Sequence, residues 1–137
     1  MSKLPTVDMF METETHSLRE TDDVLGAIRK LIRSGITGAP VLGASGTVVG
    51  ILTELECLKL LTTGTPSGEV PRGTVGEFMK TSITLVKPSM DIYHVAGLFL
   101  GTGYRRFAVV DDDGAMVGVI TRKDVLKGVE AQLPAEP

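Results

Sequence analysis

Displaced by 68 residues, the sequence matches itself without a gap. Of the 56 pairs from Thr6/Thr74 to Leu61/Val129, 14 are identical, among them Phe10/Phe78, Met11/Met79, Gly35/Gly103, Val41/Val109, Gly46/Gly114, Gly50/Gly118 and Thr53/Thr121. A self-match at constant offset constrains the fold more than any short motif, because it means that one structural unit is written twice. A unit of this size has little core of its own, so the two copies are expected to pack on one another about a pseudo-twofold axis. Any binding site should then exist in two versions. The repeats run over 6–62 and 74–130. A glycine-, proline- and polar-rich linker, 63–73, separates them, and 131–137 form a frayed tail.

Within the first repeat, Val24, Leu25, Ile28, Leu31 and Ile32 make an apolar stripe at helical spacing. Thr21 is the expected N-cap, Asp22 and Asp23 suit the positive end of the helix dipole, and Gly35 can end the helix in the left-handed conformation. Ser89, Asp91 and Gly103 repeat the arrangement. Two short strands follow in each copy, Ala39–Leu42 with Val48–Leu52 and Phe107–Val110 with Met116–Ile120, joined by turns over Gly43–Gly46 and Asp111–Gly114. Each copy closes with a helix, about Glu54–Leu61 and Arg122–Val129. A short strand near Ser17-Leu18, and again near Leu85-Val86, completes an α+β unit of order strand, helix, strand, strand, helix.

Composition narrows the function. With 42% apolar and 23% charged residues the chain is an ordinary globular protein, and no apolar run approaches the ~20 residues that span a bilayer. The first residues lack an export signal, so a cytoplasmic location is expected and no membrane partner. A net charge of −3, without a basic block or a row of aromatics, argues against nucleic acid as a partner. Cys57, the one cysteine, matches Val125 in the second copy and reads as a small buried apolar residue. Asp111-Asp112-Asp113 reads as a polar turn rather than a metal site. His16 and His94 have no neighbouring ligands at metal spacing, and no nucleophile has an evident base, so no catalytic or metal site is assigned.

The residues at the junctions are more specific. Thr74-Val75-Gly76-Glu77-Phe78-Met79 opens the second copy, Gly103-Tyr104-Arg105-Arg106-Phe107-Ala108-Val109-Val110-Asp111 forms its middle, and Gly118-Val119-Ile120-Thr121-Arg122-Lys123-Asp124 stands at its last strand-helix junction. The first copy echoes them in Gly38-Ala39-Pro40-Val41 and Gly50-Ile51-Leu52-Thr53-Glu54-Leu55-Glu56. In this order, twice, the chain resembles a cystathionine β-synthase (CBS) domain pair over nearly its whole length. The resemblance implies a regulatory module that binds AMP, ADP, ATP or S-adenosylmethionine in clefts between the repeats, forms a disc-like homodimer, and modulates a separate effector protein. It also implies that Thr121 contacts phosphate and Asp124 the ribose hydroxyls. Ile83 and Thr84 would line the base pocket, with Thr15 and His16 as their counterparts in a second, weaker site that includes Thr53, Glu56, Gly38, Ala39 and Pro40.

Elementary chemistry supports the first of these roles. Thr121 sits where a strand gives way to a helix, so unpaired N–H groups and the positive dipole end favour an anion beside its hydroxyl. Asp124, three residues on, offers an acceptor-only carboxylate to a vicinal diol. The same spacing is a helix-capping arrangement in which each side chain serves the other's backbone, and Thr53-Glu54-Leu55-Glu56 fits a capping box better still. The copies differ in charge as well. Arg105, Arg106, Arg122 and Lys123 stand where the first copy has Thr37, Gly38, Glu54 and Leu55. Phosphate is therefore expected at the second copy, held by Arg105 or Arg106, while one of these two neighbours faces solvent. Leu25, Ile28, Leu31, Leu58, Leu61, Leu98 and Phe99 exceed what a three-stranded unit can cover, which favours self-association. The alternative is a dimeric scaffold whose junction residues are caps only.

Overall fold

The computed structural model describes residues 4–62, 68–70 and 72–135. The linker reading at 63–67 and 71, and the end of the tail at 136–137, lie outside them. Among the described residues the elements are α1 (Val7–Phe10), β1 (Leu18–Arg19), α2 (Val24–Ser34), β2 (Gly38–Leu42), β3 (Val48–Thr53), α3 (Glu54–Thr62), α4 (Val75–Phe78), α5 (Ile92–Thr102), β4 (Arg106–Val110), β5 (Met116–Thr121) and α6 (Arg122–Glu130). The α+β class read from the sequence holds. No helix among the described residues is long and apolar enough to cross a membrane.

The chain divides into two compact units whose boundaries differ from those of the sequence repeats. One is continuous, His16–Ile83; the other joins residues 1–15 to Thr84–Pro137. Each repeat's opening segment, with α1 or α4, is thus housed in the unit built on the other repeat's strands.

The continuous unit carries a three-stranded sheet of order β1-β2-β3, with β1 parallel and β3 antiparallel to β2. Its core gathers Leu18, Val24, Ala27, Leu31, Val41, Leu52, Leu60 and Val75. The start of α2 is tied to the opening segment of the second repeat, because Val24 N–H donates to the Gly73 carbonyl at 2.9 Å and Val75 N–H to that of Asp22 at 2.8 Å. Lys80 then pairs with Ile51 of β3 through both backbone bonds, at 2.8 and 2.9 Å.

The discontinuous unit repeats this plan. Its core holds Val7, Val86, Ile92, Val95, Phe107, Val109 and Ile120, with Phe99 stacked on Phe107 at a centroid distance of 4.4 Å. Val7 N–H donates to the Met90 carbonyl at 2.9 Å, and Glu12 exchanges both backbone bonds with Val119 of β5 at 2.8 and 2.9 Å. Close approach here requires glycine: a Cβ on Gly118 would stand 2.7 Å from the Glu12 carbonyl oxygen, and one on Gly50 would stand 2.8 Å from that of Lys80.

Several expectations need correction. The N-caps are Asp23 and Asp91, accepting from the N–H of Gly26 at 3.1 Å and of His94 at 2.9 Å, while Thr21 lies in the preceding turn. Asp22 instead accepts from Arg19 N–H at 2.9 Å. Gly35 and Gly103 do end their helices with φ of 66° and 73°. The strand expected near Leu85-Val86 shrinks to one parallel bridge between Val86 and Val109. In the first copy Glu20 N–H extends the pairing by donating to Leu42 at 3.2 Å; its counterpart, Pro88, has no N–H to give. Of the side chains expected to drive self-association, Leu31 and Phe99 are buried within their own units, and Leu25, Ile28 and Leu98 pack partly against those cores. Leu58 and Leu61 remain exposed, joined by Ile32, Leu55, Leu100 and Leu126.

Candidate functional site

The site of the second repeat is assembled from β4, β5 and α6. Antiparallel pairing sets Arg106 directly opposite Thr121, at the ends of β4 and β5 where α6 begins. Thr121 caps that helix: its hydroxyl accepts from Asp124 N–H at 3.2 Å, and the Asp124 Oδ2 accepts from Thr121 N–H at 2.9 Å. Asp124 is 2% exposed. This reciprocal pair is a complete capping box, whereas the sequence favoured Thr53 and Glu56 for that arrangement.

The three arginines take different roles. Arg105 is exposed. Arg106 is half-buried, and its Nε is enclosed without a hydrogen-bond partner. Burial pulls the Arg106 guanidinium below its ordinary value; Glu12 opposes that fall and Arg105 adds to it. Arg122 turns toward the end of α5, donating through Nε and Nη2 to the Tyr104 carbonyl at 3.2 and 3.0 Å, and through Nη2 to the Gly103 carbonyl at 3.3 Å. Its guanidinium therefore braces the α5–β4 turn, which leaves Arg106 as the arginine paired with Thr121 in the strand register. Of the expected four basic residues, Arg106 is the one whose backbone lies directly across the ladder from Thr121, and its Nε is unpartnered.

The matching site of the first repeat is built differently. Gly38 faces Thr53 across β2 and β3, and Gly38, Ala39 and Pro40 are all buried in β2. Where the second repeat carries the Arg106 side chain, a Cβ on Gly38 would already stand 3.1 Å from Thr53 Cα. The longer Glu56, 7% exposed, accepts the Thr53 hydroxyl proton through Oε2 at 2.8 Å, and the same hydroxyl accepts from Leu55 N–H at 3.2 Å. Both polar groups are thereby engaged with each other. Burial pushes the Cys57 thiol above its ordinary value, and the charges of Glu56 and Glu54 raise it further.

Ile83 and Thr84 are half-buried in the irregular stretch before the Val86 bridge; Thr15 is half-buried and His16 exposed ahead of β1. Each pair falls on a boundary between the compact units. Sequence reasoning missed Glu12, whose charge acts on Arg106, and its counterpart Lys80, of opposite sign, which bridges to Ile51 of β3. The identical Phe10-Met11 and Phe78-Met79 pairs immediately before them were the signal that these segments have a fixed place in the fold. Among the described residues there is no group of acidic, histidine or cysteine side chains that could hold a metal.

The CBS domain family model matches twice, over residues 7–63 and 75–131. The chain belongs to the CBS domain family. This CBS-domain chain is 30% identical over 139 residues to the uncharacterized protein MJ1426 of Methanocaldococcus jannaschii, covering 80% of this chain and 83% of that one. It is 27% identical over 151 residues to the chloroplastic CBS domain-containing protein CBSX2 of Arabidopsis thaliana, covering 89% of this chain and 62% of that protein. The crystal structure of CBSX2 in complex with AMP superposes with a TM-score of 0.78 at 29% identity, over 92% of this chain and 96% of that one. An A-adding tRNA nucleotidyltransferase of Aquifex aeolicus is 29% identical over 123 residues, but the match spans only 14% of that enzyme. The CBS pair thus recurs both in proteins of comparable size and as a small part of larger ones.

Proposed function

We propose that this protein is a ligand-sensing regulatory module that binds an adenine nucleotide or related adenosyl ligand, chiefly at Thr121, Asp124 and Arg106, and modulates a separate partner polypeptide. The observation that carries the reading is the enclosed Arg106 Nε with no hydrogen-bond partner, across the ladder from Thr121. A buried cationic donor without a partner is costly, and an anionic oxygen, which a helix N-terminus also favours, relieves it. A ribose diol and a phosphate on one small molecule match Asp124 and Arg106 together. The likeness to CBSX2, whose structure holds AMP, supports the adenosine class. Homodimerisation and a cytoplasmic setting complete the proposal. Exposed leucines on α3, α5 and α6 support self-association. Calorimetric titration with AMP, ADP, ATP and S-adenosylmethionine tests the reading; saturable binding of at least one below millimolar is expected, and none from any of the four overturns it.

A second reading is favoured by the complete capping box at Thr121 and Asp124, which satisfies both side chains without a ligand. On that reading the protein is a dimeric scaffold. Substitution of either residue would then lower stability and alter no affinity for a small molecule.

A further inference from the structure

The strand register sets Thr121 between an acid and a base. Glu12 exchanges both backbone bonds with Val119 of β5, at 2.8 and 2.9 Å, so the two residues are direct cross-strand partners and share one face of the sheet. Positions two apart on a strand share a face as well, which adds Thr121, and Arg106 lies across from Thr121 on the other side. Glu12 is thus the diagonal neighbour of Thr121, about 7–8 Å away along the backbone and within reach of a long side chain. Burial lowers the Arg106 guanidinium and the charge of Glu12 opposes that fall, so carboxylate and guanidinium lie within electrostatic reach. Glu12, Val119, Thr121 and Arg106 all belong to the discontinuous unit. In the continuous unit the same register gives the reverse order of charge, with Lys80 opposite Ile51 and Gly38 across from Thr53.

We infer that Glu12 is a specificity-determining residue of this site, selecting a nucleoside monophosphate over a nucleoside di- or triphosphate. The inference rests on the nucleotide binding proposed above and specifies the ligand's phosphate count. Arg106 can neutralise one phosphate, and the N-terminus of α6 favours it. Each further phosphate adds charge of the same sign as Glu12, and like charges at short range disfavour one another most at low salt. The neighbouring arginines do not reverse this balance. The Glu12 charge acts on the Arg106 guanidinium more strongly than that of Arg105, and Arg122 gives its donors to the carbonyls of Gly103 and Tyr104. With Asp124 buried at the start of α6, two carboxylates accompany one guanidinium.

The test is calorimetric titration of the full chain and of Glu12→Gln with AMP and with ATP in magnesium-free buffer, at low and at high salt. Glu12 is exposed, and glutamine keeps the side-chain length and both backbone bonds to Val119 while removing the charge. The parent is expected to bind AMP more tightly than ATP. In Glu12→Gln, ATP should gain roughly tenfold in affinity and AMP less, and the parent's preference for AMP should shrink as salt rises. Glu12→Asp, which keeps the charge, should retain the parent's ratio. The same ratio of AMP to ATP affinity in the parent and in Glu12→Gln overturns the inference, as does a parent that binds ATP the more tightly. Failure of the parent to bind either nucleotide below millimolar is a different result, which overturns the nucleotide reading itself and the inference with it.

Discussion

Arg106 and Thr121 are directly paired across the β4–β5 ladder, and the arginine's Nε is enclosed there with no acceptor. Charge-assisted hydrogen bonds contribute about 1.5–3 kcal/mol, so Arg106→Ala is expected to weaken AMP binding by roughly ten- to a hundredfold. Adenosine, which has no phosphate, should bind both forms alike. Calorimetry with the two ligands side by side measures the difference.

Asp124 serves the backbone and, on the proposed function, the ribose. Thr121→Ala removes an N-cap and should cost about 0.5–2 kcal/mol in denaturant unfolding. Asp124→Asn keeps a carbonyl oxygen for the Thr121 N–H, so its cost should stay below about 1 kcal/mol, the scale of a lost charge at a helix start. Its affinity for a nucleotide should nevertheless fall, because the stronger charge-assisted bond to the diol is lost. A variant that is stable yet weak in binding separates ligand contact from capping.

The reciprocal placement of the opening segments has a mechanical consequence. Removing residues 1–12 deletes Val7 from the core of the discontinuous unit and Glu12 from the edge of β5. Amide exchange should accelerate at Val119 and through β4 and β5, with the continuous unit, His16–Ile83, keeping its protection. Faster exchange confined to β2 and β3 would contradict the assignment.

Gly118→Ala would drive a Cβ to 2.7 Å from the Glu12 carbonyl oxygen and 2.9 Å from Met11 Sδ. Backbone on one side cannot yield as a flexible side chain can, and overpacking of this kind costs about 1–3 kcal/mol. Gly97→Ala, with open space around it, should be tolerated and even gain the better helix propensity of alanine, about 1 kcal/mol. Thermal unfolding of the two variants compares them.

Cys57 tests the first-repeat environment. Its thiol is raised by burial and by Glu56 and Glu54, so less thiolate is present in the folded protein than in an unfolded chain at the same pH. Alkylation near pH 8.5 should be slower when folded than in denaturant, and the gap should narrow as pH rises through the folded thiol's value.

Much of the fold was legible because the repeat reads its own structure twice. Gly35/Gly103, Gly46/Gly114 and Gly50/Gly118 are identical because positive φ or close backbone approach leaves no alternative. The identical Asp23/Asp91 pair marked the true N-caps, but Thr21 was favoured by the acidic residues that follow it. The exchange of α1 and α4 was hidden because four-residue helices carry no periodicity, and Val7 and Val75 look the same whichever core they enter. At the site, residue types were readable and directions were not. Arg122 and Lys123 follow Thr121 directly, and Arg105 and Arg106 stand at the start of the strand paired with it, yet Arg122 turns back to the carbonyls of Gly103 and Tyr104, which no sequence pattern specifies.

On the proposed function, Arg106, Thr121 and Asp124 hold the phosphate and ribose of an adenine nucleotide. Titration of the parent protein and Arg106→Ala with AMP in the same buffer tests it most directly. Saturable binding below millimolar to the parent and a loss of roughly ten- to a hundredfold in the variant are expected. Equal affinity of the two proteins for AMP would contradict it.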